Sequence, residues 1–355
     1  MKKEIAILSG DGIGPEIMEE AAKVLTRVGE LFDHDFVFRT ALIGGAAYEK
    51  HEDHFPDVTK KICEESDAIL FGSVGGPVDS RDEAKWKNCE INSILAIRKH
   101  FNFSVNLRPV KLYEPLKENC ILRADIVEKG VDIMCVRELS SGIYFGRHEL
   151  SENSAIDEMS YTAEEIERVA RVAFDAAMKR KKKVSSIDKA NVLSCGKLWR
   201  QVVERVAKDF PQVEYEHVLV DNAAMQVIKR PSDFDVILCP NMFGDIVSDE
   251  LSVLAGSLGM LPSASINAEG FAMYEPSGGS APDIAGQGVA NPIGQILSAA
   301  MMLLYSFNMD KEYEAIMRAV ETALADGLRT ADISGGHTFV STDAMGDSIT
   351  HLITK

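Results

Sequence analysis

Short β-branched runs alternate with longer amphipathic stretches along nearly the whole chain. Ile5-Ala6-Ile7-Leu8 reads as a first strand, and Pro15 to Phe32 as a helix that opens on proline and sets Ile17, Ala21, Val24, Val28 and Leu31 on one face. Asp67 to Phe71 reads as a buried strand leading into the glycine-rich loop Gly72 to Pro77. Further strands are expected at Val131 to Val136, Val184 to Ile187, Tyr215 to Val220 and Asp235 to Cys239. Further helices are expected at Ala163 to Lys181, Gly196 to Asp209, Met242 to Leu258 and Gly288 to Phe307. This alternation is the pattern of an α/β protein with mixed, partly parallel sheets. Neither a repeat nor a low-complexity linker marks a boundary. The polar, aperiodic stretch from Arg147 to Tyr161 reads either as a surface loop or as an arm gripping a second subunit. The basic run Lys179 to Lys183 reads as a solvated helix end, its cations complementing the helix dipole.

A length of 355 residues exceeds one ordinary domain, so two lobes are expected. With 46% hydrophobic and 26% charged residues the chain is neither disordered nor collagen-like. Asp and Glu total 55 against 38 Lys and Arg, a formal charge of −17. That field repels nucleic acid and anionic lipid, so neither is expected as a partner. An anionic ligand has to be held locally, by arginines or a metal. The cysteines at 63, 89, 120, 135, 195 and 239 are far apart and lack a CxxC pair, which suits reduced thiols, each set in an apolar strand. The apolar run at the start breaks at Ser9-Gly10, too early for a signal peptide's core. The longest apolar stretch, Ile296 to Phe307, falls well short of the roughly 20 residues that span a bilayer. A cytoplasmic protein is expected.

Gly10-Asp11-Gly12-Ile13-Gly14-Pro15 sits between a strand and a helix, but Glu16 stands where the dinucleotide fingerprint needs its third glycine. It reads as a tight turn beside some other site, not as a phosphate loop. Arg98, Arg108 and Arg137 each follow an apolar run, which draws the stem inward while the head must find an anion. Either they are ordinary ion pairs or their planar forks grip substrate carboxylates. Asp245 and Asp249 are four apart, on one helical face, and with Asp221 they offer hard oxygen donors suited to Mg²⁺ or Mn²⁺. Read otherwise, the pair is a solvated helix face. Lys189, just after a strand, and Tyr144, flanked by glycines, stand in apolar settings where each is structural or moves a proton. His51 and His54 lack metal-site spacing and read as surface residues. Covalent nucleophilic catalysis is disfavoured, because no Ser-His-Asp or Cys-His pattern emerges and the cysteines have no histidine nearby in sequence.

Four stretches carry a resemblance: Val136 to Gly146, Asp188-Lys189-Ala190-Asn191, Asn241 to Asp249, and Gly279-Ser280-Ala281-Pro282-Asp283-Ile284-Ala285-Gly286. Together with Gly10 to Glu16 and Met345-Gly346-Asp347, they resemble the metal-dependent β-decarboxylating dehydrogenases, the isocitrate/isopropylmalate dehydrogenase family. The resemblance implies a two-lobed α/β fold with mixed sheets, not a Rossmann fold. Its first, cofactor-binding lobe would be residues 1–103 and 256–355. Its second, residues 104–255, would carry the metal site, the dimer interface and the arm at about 147–161. A homodimer is implied, each active site borrowing Lys189 and Asp221 from the other subunit.

Site roles follow from the same resemblance. Arg98, Arg108 and Arg137 would bind the carboxylates of a 2-hydroxy diacid. Asp245 and Asp249, with Asp221 touching both substrate and metal, would hold Mg²⁺ or Mn²⁺. Lys189 would take the hydroxyl proton and Tyr144 would protonate the enol carbon. Gly76, Glu90, Gly279, Ser280, Ala281, Pro282, Asp283, Ile284 and Asn291 would line the cofactor. The charge of Asp283 opposes a 2′-phosphate, and Ile284 and Ala285 stand where relatives that use NADP carry a basic residue and a tyrosine, so NAD is implied. Isocitrate-using relatives place Ser and Asn where Asn92 and Ile94 stand. Ile94 and Leu95 suit a branched apolar group, favouring 3-isopropylmalate over isocitrate, with D-malate or tartrate as the alternative. Two departures stand out: Glu90 lies eight residues before Arg98 where many relatives have seven, and Gly278 replaces a common histidine. Silent regulatory relatives lose part of the metal or acid–base set, whereas this chain keeps all of it.

Overall fold

The computed structural model describes residues 1–80 and 82–355. Arg81, inside the loop from Gly76 to Glu90, lies outside the described residues. The first strand, β1 (Lys2–Gly10), is flanked by β2 (Asp35–Thr40) and β3 (Ala68–Ser73), both parallel to it. Next along the chain come β4 (Val105–Lys111), β5 (Asp132–Glu138), the short β6 (His148–Leu150) and β7 (Ala155–Asp157), then β8 (Lys183–Asp188), β9 (Glu214–Leu219) and β10 (Val236–Cys239). The series ends with β11 (Pro262–Ile266) and β12 (Ala272–Pro276). All but β6 and β7 join one sheet of order β2-β1-β3-β12-β11-β4-β5-β10-β8-β9. Five neighbouring strands come from residues 2–73 and 262–276, and the other five from residues 105–239. Both regions flanking the central segment thus feed one half of the sheet. The middle is antiparallel, through the pairs β12–β11, β11–β4 and β4–β5, which no all-parallel Rossmann sheet contains.

Strand burial explains the layering. Ile5 and Ile7 of β1 enter the large core while Ala6 and Leu8 enter a second, smaller one, so this strand is covered on both faces. The covering helices are α1 (Gly14–Phe32), α2 (Gly45–His51), α3 (Asp57–Glu64), α4 (Ala96–His100), α5 (Ala124–Val127) and α6 (Ala163–Met178). They continue with α7 (Ser194–Ala207), α8 (Val220–Lys229), α9 (Asn241–Leu254), α10 (Ile293–Tyr305), α11 (Asp310–Ala325) and α12 (Thr342–Leu352). Helix α1 buries Ile17, Ala21, Val24 and Val28, the face read from the sequence. A reciprocal cap starts α6: Thr162 Oγ1 accepts the Glu165 N–H and the Glu165 carboxylate accepts the Thr162 N–H. Among the described residues no helix is long and apolar enough to cross a membrane.

Several expectations are corrected. Helix α10 begins at Ile293, not Gly288, because Gly288 is left-handed at φ 65 and Pro292 delays the first turn. Helix α9 ends at Leu254, and left-handed Gly256 separates it from the turn Leu258–Met260. Within residues 147–161, read as a loop or an arm, His148–Leu150 and Ala155–Asp157 pair as a two-stranded antiparallel ribbon, β6–β7. His54 is buried at 3% exposure, its Nε2 bonded to the Lys85 carbonyl at 2.8 Å and its ring against Tyr48. Only Cys135 and Cys239 lie in strands; Cys63, Cys89 and Cys195 are helical, and Cys120 sits in a loop. Within the basic run, Arg180 is not solvated. Its Nε donates to Asp235 at 2.8 Å and its Nη2 to Asp132 at 2.7 Å, neutralising a carboxylate whose side chain is 1% exposed.

That pair fixes the β5–β10 edge from behind. Replacing Arg180 by Met keeps the bulk but strands Asp235, and the unfolding free energy is expected to fall by about 3 kcal/mol. Thermal or urea unfolding reads this directly; an unchanged midpoint would show that the Lys183 amide alone satisfies Asp235.

Candidate active site

Strands β4 and β5 pair Asn106 with Arg137 and Arg108 with Cys135. Alternation along the strands therefore puts Asn106, Arg108 and Arg137 on one face of the sheet. Helix α9 lies across that face. It comes this close because residue 244 is glycine: a Cβ there would meet Arg137 Cγ at 2.7 Å and Cys239 Cβ at 3.0 Å.

Arg137 is almost wholly enclosed, at 2% exposure. Its Nε and Nη2 both donate to Asn241 Oδ1, at 3.1 and 2.8 Å, and its Nη1 donates to Asp245. Arg108 donates from Nε to Asn106 Oδ1 at 2.8 Å and from Nη1 to Ser248 Oγ at 2.7 Å and Asp249 Oδ1 at 3.3 Å. Tyr144 Oη donates to Asp245 Oδ2 at 3.0 Å, and the Arg137 guanidinium lies 5.8 Å from its ring centre. Burial, then the neighbouring Arg108, pushes Arg137 down to about 10, while Asp245 pulls the other way. Burial raises Asp249 above the ordinary carboxylate range, and Arg108 opposes the shift. Tyr144 is also raised, by burial first and Asp245 second, so its phenol holds its proton at neutral pH.

Arg98, on α4, donates from Nη2 to Glu275 Oε1 at 3.0 Å, with side chains 11% and 9% exposed. Its Nε is buried without a partner among the described residues. Glu90, Ile94, Arg98, Arg108 and Glu275 line a cavity of about 210 Å³. An apolar groove of about 460 Å³, walled by Ile13, Ile17, Leu258 and Ile284, adjoins it through Pro276, Gly278 and Gly279. Ala281 and Asn291 face this groove too, and the Asn291 side chain donates to Asp332 at 3.1 Å. Ser280 lies between two of the lining residues, Gly279 and Ala281, and its carbonyl accepts the Ile13 N–H at 2.8 Å. Pro282 and Asp283 follow in the same turn, and Asp283 is exposed. Gly76 lies beneath the Trp86 indole.

Lys189 and Asp221 stand apart from the arginine set, bonded to each other at 2.5 Å on the exposed side of the β8 and β9 ends. Behind Lys189, buried Asp188 takes two bonds from Arg200, at 2.7 and 3.0 Å, and one from the Ala190 N–H at 2.8 Å. Lys189 keeps the Asp221 carboxyl below its usual range. Among the described residues no group of three or more His, Cys, Asp and Glu side chains is placed to hold a metal ion within one chain. Asp245 and Asp249 alone form a two-carboxylate ledge.

Sequence reasoning assigned no role to Glu275, Asn106, Asn241 and Ser248, which hold the arginines in place. Asn106 and Glu275 are polar residues whose strand neighbours are buried, and that signal marks them; Asn241 and Ser248 are themselves buried but stand among partly exposed helix residues, so no such signal marks them.

A pocket of buried arginines opening into an apolar groove defines a class: an enzyme that places a small anion against a larger, partly apolar cofactor. The family is specific. The isocitrate/isopropylmalate dehydrogenase model matches residues 4–349, and the chain belongs to that family. Its relatives include the 3-isopropylmalate dehydrogenases of Haemophilus influenzae, 54% identical over 98% of this chain and 99% of that one, and of Campylobacter jejuni, 52% identical over 99% and 97%. Among solved structures, the isocitrate dehydrogenase of Methylococcus capsulatus superposes with a TM-score of 0.87 at 30% identity, covering 99% of both chains. A β-decarboxylating dehydrogenase of Thermococcus kodakarensis gives 0.81 at 34% identity, covering 99% of this chain and 96% of that one. Membership makes the protein a dehydrogenase that takes a small-molecule substrate and implies a nucleotide and a divalent metal.

Arg137 is held in the fold at a cost, since burial disfavours its charge. Arg137→Met removes that cost but strands the buried Asn241 Oδ1, so stability should fall by no more than about 1–3 kcal/mol while kcat/KM on the diacid drops by about 10³-fold. A large loss of stability with modest loss of turnover would reverse the assignment.

Proposed function

We propose that the protein is an NAD-dependent 3-isopropylmalate dehydrogenase, which oxidises C2 of 3-isopropylmalate and releases the β-carboxylate as CO₂. The product, 4-methyl-2-oxopentanoate, places it in leucine biosynthesis. The carrying observation is that Ile94 shares one small cavity with Arg98 and Arg108, an apolar patch beside two carboxylate forks. A third carboxylate finds no cation at Ile94, and the names of the similar bacterial proteins agree.

The donor sets fit both implied groups. Asp245 and Asp249 are hard oxygen ligands one helical turn apart, suited to Mg²⁺ or Mn²⁺, with Asp221 of a second copy as the third carboxylate. The apolar groove suits NAD, with exposed Asp283 opposing a 2′-phosphate. When bound, the cation supplies Lewis acidity to the substrate oxygens and the nicotinamide accepts hydride from C2. In this reading Arg98, Arg108 and Arg137 hold the two carboxylates and orient C2. Lys189 of the second copy takes the hydroxyl proton. Tyr144 returns a proton to the carbon that loses CO₂.

A homodimer is favoured by the exposed apolar side chains of α8 and α9, which pack together: Met225 and Ile228 on one, Ile246 and Val253 on the other. The β6–β7 ribbon, with Leu150 89% exposed, is too short to be stable alone and suits an arm that pairs with a partner's. Residues 1–103 with 256–355, and 104–255, would be the two lobes of the cleft. The unpaired thiols suit a reducing cytoplasm.

NADH formation on 3-isopropylmalate, D-malate and isocitrate, with and without EDTA, tests the reading. Isopropylmalate should be preferred by at least about tenfold in kcat/KM, which is what one branched apolar group in a fitted pocket supplies. EDTA should abolish turnover and Mg²⁺ or Mn²⁺ restore it. Equal efficiency on D-malate would sink the substrate, and EDTA resistance the metal. Lys189→Ala should lower kcat by about 10²-fold or more; normal turnover would remove Lys189 as the base.

A further inference from the structure

The turn Gly10-Asp11-Gly12 takes no part in the chemistry proposed above, yet its carboxylate gathers donors from three segments around the cofactor groove. Asp11 is buried at 6% exposure. Its Oδ2 accepts the N–H of Gly45 at 2.8 Å and of Gly75 at 3.1 Å, and its Oδ1 accepts the N–H of Ala46 at 2.8 Å. The Cys89 thiol points to Oδ2 at 3.8 Å. Among the described residues no lysine or arginine pairs with it, so three backbone N–H groups and the Cys89 thiol are the donors to this buried carboxylate.

The backbone of the same turn reaches further. Asp11 N–H donates to the Ser73 carbonyl at 2.7 Å, and Ser73 Oγ donates to the Asp11 carbonyl at 2.8 Å. Gly12 is left-handed at φ 59, and a Cβ on it would fall 1.9 Å from the Ser280 carbonyl, so only glycine lets the turn press on that segment. Three of the segments it touches each lead directly into a cofactor-lining residue: Gly75 into Gly76, Cys89 into Glu90, and Ser280 into Ala281. Trp86 packs on Gly45 and Gly76, and His54 holds the Lys85 carbonyl, folding the described part of the 76–90 loop onto α2.

We propose that Asp11 is a positioning residue for the dinucleotide: its carboxylate locks the Gly75–Gly76 turn and the Cys89–Glu90 segment against the Ser280 turn, fixing the span between the two ends of the groove. The inference rests on the reading of that groove as the NAD site. The chemistry requires a carboxylate and not merely its shape. An aspartate offers two acceptor oxygens to four donors, whereas asparagine has one and would turn an NH₂ toward N–H or S–H groups.

Asp11→Asn tests this, with Ser73→Ala as a gentler second variant that removes only the hydroxyl holding the Asp11 carbonyl. Binding of NADH is followed by its fluorescence, without diacid or metal, on protein shown to be folded by its melting temperature. In parallel, iodoacetamide labelling of Cys89 is followed by peptide mass spectrometry. The wild-type thiol, pushed up to about 11 by burial and by Asp11, should label slowly, and more slowly with NAD. Asp11→Asn should weaken NADH by at least about tenfold, with KM for the diacid at saturating NAD changed by less than about threefold, and should speed Cys89 labelling. Ser73→Ala should shift NADH affinity the same way by about twofold or more.

Unchanged NADH affinity in folded Asp11→Asn overturns the proposal whatever Cys89 does, since faster labelling alone is what a purely structural role predicts. If Asp11→Asn does not fold, Ser73→Ala decides by the same criterion. Failure of the wild type to bind NADH would instead overturn the assignment of the groove, and this inference with it.

Discussion

Two guanidinium groups buried side by side in the middle of the sheet are the constraint around which the site is arranged. The interior makes the charge of Arg137 harder to keep, and Arg108 beside it adds to that. Both forks are met by α9, which brings Asn241, Asp245, Ser248 and Asp249 to them on successive turns. Register and helix placement cannot then drift independently. A slip of one residue in β4 or β5 would turn the arginines to the opposite face, away from their partners. A side chain at Gly244 would hold α9 off and leave both cations unpaired.

The same pairing gives the site a way to accept charged ligands in a chain of net charge −17. Before anything binds, arginine and aspartate neutralise each other. In the proposed reaction the partners exchange: substrate carboxylates take the arginine forks while a divalent cation takes the aspartates. Neither set of charges is left buried and alone, the outcome that costs most in a low-dielectric site. Glu275 does for Arg98 what Asp245 does for Arg137, so all three arginines wait already paired. Long-range repulsion by the acidic surface is screened over roughly 10 Å at ordinary salt and is minor beside these contacts.

Much of this is legible in the sequence. Ile5 to Leu8, Pro15 to Phe32 and Asp235 to Cys239 carry clean periodicity, and the structure puts β1, α1 and β10 there with edges moved by a few residues. Arg137, Tyr144, Asp245 and Asp249 stood out as charged or polar residues in apolar or glycine-rich settings, and they meet. What stayed hidden was non-local. Nothing near Asp235 in sequence says that Arg180 is its partner, so a buried ion pair read as a solvated helix end. His54 reads as a surface residue because its buried nitrogen depends on the Lys85 carbonyl, some thirty positions away. The strands β11 and β12, which join the halves of the sheet, are short and carry Pro262 and Pro276 at their ends, which masks their pattern.

In the proposed reaction Lys189 and Asp221 act from a second copy, so on that reading one chain's geometry leaves the chemistry incomplete. They are bonded to each other, and the Asp221 side chain is largely exposed. An ion pair so placed is worth little to the stability of the chain that carries it. Asp188, by contrast, is fully enclosed and bonded three times over, so the turn presenting Lys189 is rigid although the lysine's own partner is weakly held. A rigid mount carrying a loosely committed pair suits groups that act outside their own subunit. It lets Asp221 leave Lys189 for a stronger cation at small cost, with the backbone already in place. The exposed apolar faces of α8 and α9 flank this mount, so burying them against a second copy would seat the pair. In the proposed homodimer, association and completion of the active site would be one event, driven by apolar area, with the turn held by buried Asp188 already in place.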